Sequence, residues 1–151
     1  MGIKVISKNR KAFHDYQMED AYEAGIQLQG TEVKALRAAK VNLGGGWVDL
    51  DRHGQAWLKE VHIGHYSHGN IQNHEEMRPR RLLLHKREII KLQRAVEEKG
   101  FSVVPSKIYF KKSLIKVEIC LAKGKQMHDK RESSKAKDAK KDMARALKNT
   151  R

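Results

Sequence analysis

Cysteine is almost absent from this chain. Of its 151 residues only Cys120 carries a thiol. One thiol excludes an internal disulfide framework and a cysteine-built zinc site, and it fits a reducing compartment. Long apolar runs are missing too. No stretch of eighteen apolar residues is present, so the sequence predicts no membrane-spanning helix. The first residues lack the apolar core of a signal peptide. Ile6 stands where a myristoylation pattern wants Ser or Thr. The expectation is a soluble, cytoplasmic protein with no membrane partner.

Enzymatic signatures are equally scarce. Gly44-Gly45-Gly46 lacks the Lys-Ser/Thr ending of a phosphate-binding loop and reads as a turn. Glu75-Glu76 and Glu97-Glu98 are adjacent pairs whose side chains diverge, which argues against paired-carboxylate catalysis. His62, His65, His68 and His74 have spacings a metal could use, but no cysteine lies nearby and the segment reads as a polar loop. A metal-dependent nuclease built on these histidines is one alternative, though no carboxylate constellation supports it. The expectation is no catalytic residue, no metal and no cofactor. Cys120 reads as a small apolar group on a strand.

Positive charge is what the sequence has in excess. Lys and Arg number 32 against 18 Asp and Glu, for a net charge of +14. Such a field attracts nucleic acid and other polyanions. Half of it, +7, lies in residues 123–151, which hold no Trp, Tyr, Phe, Val or Ile. That segment cannot join a packed core. It reads as a tail, disordered when alone, set apart from a folded unit over 1–122. Ala136, Lys140, Met143 and Leu147 fall at helical spacing, so the tail can become a helix on binding; a merely solubilising tail is the other reading.

Within 1–122, residues 15–29 read as an irregular strand pair, and Thr31 as the cap of a short helix over 32–39 with Val33 and Leu36 on one side. Trp47–Leu50, the turn 51–54 and Ala56–Ile63 make a hairpin. A loop covers 64–80. A helix over 82–99 follows, with Ile89, Leu92 and Val96 on its buried face and Gly100 as its cap. A second hairpin pairs 101–111 with 114–122, where Ile115, Val117, Ile119 and Leu121 alternate inward and Pro105 marks an edge or bulge. Short antiparallel strands with few helices predict a mainly β fold, a small closed barrel decorated by helices.

Four basic clusters are interleaved with groups that stack on or hydrogen-bond to bases. They are Lys8–Lys11 with His14 and Tyr16; Arg78, Arg80 and Arg81 with His85–Arg87; Lys111, Lys112 and Lys116 beside Tyr109; and Lys123, Lys125 and His128–Arg131. Cations of this kind neutralise phosphates, while Asn, His and Tyr address base edges and ring faces. The residues alone therefore point to RNA binding, and a generic OB-fold RNA or single-stranded DNA binder satisfies them.

The order of several motifs goes further. Asn9-Arg10-Lys11-Ala12-Phe13-His14-Asp15-Tyr16, Glu23-Ala24-Gly25-Ile26, Gly30–Arg37 and Lys40-Val41-Asn42-Leu43 are followed by Asn73-His74-Glu75, Arg81–Glu88, Val104–Phe110, Ala122–Lys125 and His128–Glu132. This succession resembles the small protein B family, also called SsrA-binding protein. The resemblance implies an OB-fold-like β-barrel with flanking helices and a basic C-terminal tail that is helical when bound. It implies a monomer that binds the tRNA-like domain of transfer-messenger RNA (tmRNA) and brings alanyl-tmRNA to stalled bacterial ribosomes in trans-translation, where it stands in for a tRNA anticodon arm. It implies tmRNA contacts at Asn9, Glu23, Leu83 and Lys116, with Arg10, Lys11, Arg87 and Lys123 as phosphate partners. It also implies a tail element, Gly124, Lys125, His128, Asp129, Lys130 and Arg131, that meets small-subunit ribosomal RNA at the decoding centre and in the empty mRNA channel, with His128 stacked on a base. No enzymatic step is implied. Gly44-Gly45-Gly46-Trp47 departs from the polar turn common in the family.

Overall fold

The computed structural model describes residues 2–66 and 73–124. Among these the order is β1 (Ile3–Lys8), α1 (Arg10–Asp15), β2 (Tyr16–Ile26), α2 (Gly30–Arg37), β3 (Val41–Asn42), β4 (Trp47–Leu50), β5 (Ala56–Lys59), β6 (His62–Ile63), β7 (Arg80–Leu83), α3 (Lys86–Lys99), β8 (Ser102–Lys111) and β9 (Leu114–Gly124). Seven strands form one sheet in the order β1-β8-β9-β2-β7-β5-β4, and β3 pairs with β6 separately. Every pairing is antiparallel. β4 returns to lie against β8, so the sheet curls around its own inner face. That face holds Leu58, Ile108, Val117 and Ile119, with Leu36 of α2 and Leu92 of α3 packed in, all essentially without exposure. Burying each such side chain contributes about 1.5–3 kcal/mol. The mainly β, antiparallel architecture with flanking helices is the one the strand pattern predicts.

Several boundaries differ from the sequence reading, each for a physical reason. β1 and α1 lie where the sequence pattern announces no element. Asn9 creates α1 by accepting the Ala12 N–H on its side-chain oxygen at 3.1 Å. Residues 15–29 hold one long strand, β2, whose register against β9 shifts between Met18 and Ala21; that irregularity is what mimics two strands. Helix α2 starts at Gly30, and Thr31 does not cap it. The Glu32 carboxylate accepts the Gln29 N–H at 2.8 Å, while the Thr31 hydroxyl meets His74 Nδ1 at 2.9 Å. The buried face of α2 is Glu32, Ala35 and Leu36. The segment 56–63 breaks at Glu60, whose φ is +58°, so β6 leaves β5 and pairs with β3.

The apolar run Leu82-Leu83-Leu84 does not open the long helix. It belongs to β7 and its exit, because Arg80 and Leu82 point inward and Leu83 outward with period two. Helix α3 begins at Lys86, with the Glu88 carboxylate accepting the His85 N–H at 3.0 Å. Its buried residues are Ile89, Leu92 and Ala95; Val96 is exposed. Gly100 caps it with φ +70°. The register of β8 shifts between Pro105 and Lys107, so the proline sits at a bulge inside the sheet. β9 runs two residues past 122 to Gly124, because Gln17 and Tyr16 of β2 pair with Lys123 and Gly124. Cys120 is buried on that strand, and burial pushes its thiol pKa up.

Candidate nucleic-acid interface

The outer face of the sheet carries a row that crosses five strands. Register places Val5 of β1 opposite Tyr109 of β8, Tyr109 opposite Lys116 of β9, Lys116 opposite Gly25 of β2, and Gly25 opposite Leu83 of β7. Gly25 is the gap in this row. A Cβ there would lie 3.3 Å from the Leu83 Cβ and 3.7 Å from the Lys116 ammonium, so its absence lets the leucine and the lysine stand side by side. Leu83 is 47 % exposed, unusual for a leucine in mid-sheet. Glu23, two residues before Gly25, points to the same side. Glu23, Leu83 and Lys116 line one groove of about 770 Å³ together with Arg52, His53, Lys86 and Gln93. Arg87 is exposed on the first turn of α3, next to Lys86.

Glu23 is held from two sides. The buried Tyr109 hydroxyl donates to Oε2 at 2.5 Å, and the Lys111 ammonium lies 3.2 and 3.3 Å from the two carboxylate oxygens. The Tyr109 hydrogen bond, outweighing a small desolvation cost, and then Lys111 and Lys116 hold the Glu23 pKa below the usual carboxylate range. Burial, then Glu23, pushes the Tyr109 phenol well up, so it stays a donor. This surface offers fixed cations around a fixed carboxylate, with an apolar side chain beside them. Such a surface can seat phosphates, accept base or ribose donors and pack against a ring face.

A second group lies around α1. Arg10 and Lys11 are exposed on its first turn, and Lys123 is exposed near the end of β9 with its ammonium 6.0 Å from the Phe101 ring. Asn9 is different from its neighbours. It is 2 % exposed, its Nδ2 donates to the Pro105 carbonyl at 2.8 Å, and its backbone N–H donates to Ser106. It fixes α1 to β8 and so places Arg10 and Lys11. Gly124 ends β9; Lys125, His128, Asp129, Lys130 and Arg131 lie outside the described residues, as does His68.

Two groups that stand out in the sequence, the Arg78–Arg81 run and the histidines, do structural work. Arg80 has no exposed surface; Nε donates to Glu32 Oε2 at 2.6 Å, and the other nitrogens donate to the Val61 carbonyl at 2.6 Å and the Glu76 carbonyl at 2.9 Å. Arg78 also pairs with Glu32. Arg80 therefore ties β7, and Arg78 the segment before it, to α2, and the second basic cluster loses the fully buried Arg80 as a phosphate partner. Among the histidines, His74 is buried between the Thr31 hydroxyl and the Ile63 carbonyl, so its Nε2 carries the proton donated to that carbonyl at 2.8 Å. His62 pairs with Glu76, and His65 Nε2 lies 3.4 Å from the same carboxylate. No metal-binding group of three or more ligands is present among the described residues.

Comparison with known proteins places the chain. The family model described as SmpB protein matches residues 6–149. An SsrA-binding protein of Geobacter metallireducens is 53 % identical over 147 residues, 97 % of this chain and 95 % of that protein. One from Pelobacter propionicus is 51 % identical over 148 residues, 98 % and 97 % of the two chains. One from Bacillus cereus is 49 % identical over 144 residues, 95 % and 92 % of the two. A solved structure described as "tmRNA-SmpB: a journey to the center of the bacterial ribosome" superposes with a TM-score of 0.68 at 42 % identity, covering 85 % of this chain and 93 % of that one. By sequence over almost its whole length and by fold, the chain belongs to the SmpB protein family.

Proposed function

We propose that this chain binds tmRNA and serves trans-translation: it brings alanyl-tmRNA to stalled ribosomes and takes the place of a tRNA anticodon arm there, without a chemical step of its own. The observation that carries this reading is the row Lys116–Gly25–Leu83 beside Glu23, in a chain whose relatives are named for binding SsrA RNA. An exposed leucine flanked by a lysine and an oriented carboxylate suits the splayed, partly unstacked bases of a folded RNA better than a regular duplex. Lys116 and Arg87 take phosphates at this face; Arg10, Lys11 and Lys123 take them around α1, with Asn9 acting by holding that helix. The tail from Gly124 through Lys125, His128, Asp129, Lys130 and Arg131 enters the decoding centre and the vacant mRNA channel.

The test is the ratio of affinities for tmRNA and for bulk tRNA at physiological salt. A clear preference for tmRNA is expected. Equal affinities would leave only a generic OB-type binder. With about five phosphates neutralised, log K should fall against log[salt] with a slope of about −3.5 to −4.5.

A further inference from the structure

We propose that Lys111 is a further phosphate-binding residue of this RNA interface and that Tyr109 is the positioning residue that holds it there through Glu23. The proposal rests on the RNA-binding reading above and gives the basic cluster beside Tyr109 a specific arrangement in it.

A carboxylate on a phosphate-binding face needs a reason, since alone it repels the ligand. The geometry supplies one. The Glu23 oxygens lie 3.2 and 3.3 Å from the Lys111 ammonium, so the carboxylate takes one of that ammonium's three donors and fixes its position. Lys111 remains 48 % exposed, which leaves its other two donors open to a phosphate oxygen. The carboxylate itself is oriented by the Tyr109 hydroxyl at 2.5 Å. Tyr109 is 3 % exposed in the middle of the sheet, so its hydroxyl is anchored by the barrel and cannot follow a mobile surface group.

The chain of support thus runs from a buried ring to an exposed cation. Lys111 stands two residues beyond Tyr109 on β8, and Lys116 stands opposite Tyr109 on β9. Lys111 contacts Glu23 and Lys116 lines the same groove, so the three groups together carry a net charge of +1. A free lysine loses rotamer freedom when it grips a phosphate; one already held by Glu23 loses less. The alternative role for Glu23 is to accept hydrogen bonds from the RNA directly, in which case Lys111 is incidental.

A double-mutant cycle on tmRNA affinity, measured across a salt series with the full chain, separates the two. Lys111→Ala should weaken binding by about 5-fold at physiological salt and reduce the salt slope by about 0.7 to 0.9, the loss of one phosphate contact. Glu23→Gln keeps an acceptor for Tyr109 but removes the charge that holds Lys111. It and Tyr109→Phe should each weaken binding in the wild-type background and change little once Lys111 is alanine. Wild-type affinity and slope in Lys111→Ala would overturn the proposal. So would an undiminished Glu23→Gln effect in the Lys111→Ala background, which would mean direct contact with RNA. Tyr109→Phe lowering affinity equally in both backgrounds would make Tyr109 a structural group only and would overturn its positioning role. A wild-type protein with no preference for tmRNA over tRNA would overturn the functional reading, whereas a preference with an additive cycle overturns the positioning of Lys111 through Glu23 and leaves the functional reading standing.

Discussion

Arg80→Met should be among the most damaging single substitutions in the molecule, although Arg80 lies in a run that looks like an RNA-binding patch. Both Arg80 and Glu32 have fully buried side chains. Arg80 donates to Glu32 Oε2 and to the carbonyls of Val61 and Glu76, while Glu32 also receives the Gln29 N–H at the start of α2. Methionine fills similar apolar volume but leaves the buried carboxylate with only Arg78 and the Gln29 N–H, and takes a donor from the Val61 and Glu76 carbonyls. Removing one partner of a buried pair costs about 3–5 kcal/mol, against a total stability of about 5–15 kcal/mol for a domain. In urea, with a slope of about 2 kcal/mol per molar, the midpoint should fall by about 2 M. The double variant Arg80→Met with Glu32→Leu should recover part of that loss, because no buried carboxylate remains short of its main partner. Acid stability follows the same pair. Burial raises the Glu32 pKa, but the hydrogen bonds from Arg78, the Gln29 amide and Arg80 outweigh it and leave the pKa below its ordinary value. The folded pKa is therefore lower than the unfolded one near 4.3. The stabilisation is complete above that unfolded value and is lost as pH falls through the lowered folded value, so Glu32→Gln should flatten the acid limb of the stability profile. An unfolding free energy for Arg80→Met within about 1 kcal/mol of wild type would refute the reasoning.

Other substitutions probe separate links. Leu83→Ala should leave the unfolding free energy within about 0.5 kcal/mol of wild type, since about half of the side chain is exposed, yet should weaken tmRNA binding; equal tmRNA affinity would remove Leu83 from the interface. Gly46→Ala should destabilise by about 1–3 kcal/mol, because its Cβ would lie 2.5 Å from Val61 Cγ2 and 2.9 Å from the Leu43 carbonyl; a thermal melt that matches wild type would contradict this. His128→Ala should bind tmRNA normally but slow tagging of nascent chains by roughly 5- to 150-fold, the equivalent of about 1–3 kcal/mol of base stacking; full tagging would return the tail to a solubilising extension.

What could be read before the fold was known follows from which interactions are local. The period-two alternation of β9, the αL cap at Gly100 and the 51–54 turn are local features, and they stand where the sequence puts them. The start of α3 is not legible, because Leu82-Leu83-Leu84 satisfies a helical and an extended pattern equally; only the pairing of β7 with β5 and β2 decides. Glu32 and Arg80 are 48 residues apart, so no sequence spacing announces that they share one buried bond. The same holds for Tyr109 and Glu23, which are 86 residues apart. Only the family resemblance links Leu83, Glu23 and Lys116 in the sequence; their common groove arises from strand register, which composition does not encode.

The most direct measurement is a reconstituted translation reaction on a message without a stop codon, supplied with alanyl-tmRNA and lacking any other protein of this family. Adding the full chain should convert stalled nascent chains into tagged products, and adding the Lys116→Ala, Leu83→Ala double variant should not. Tagging that proceeds equally without the chain, or that fails with the wild-type chain present, would contradict the account.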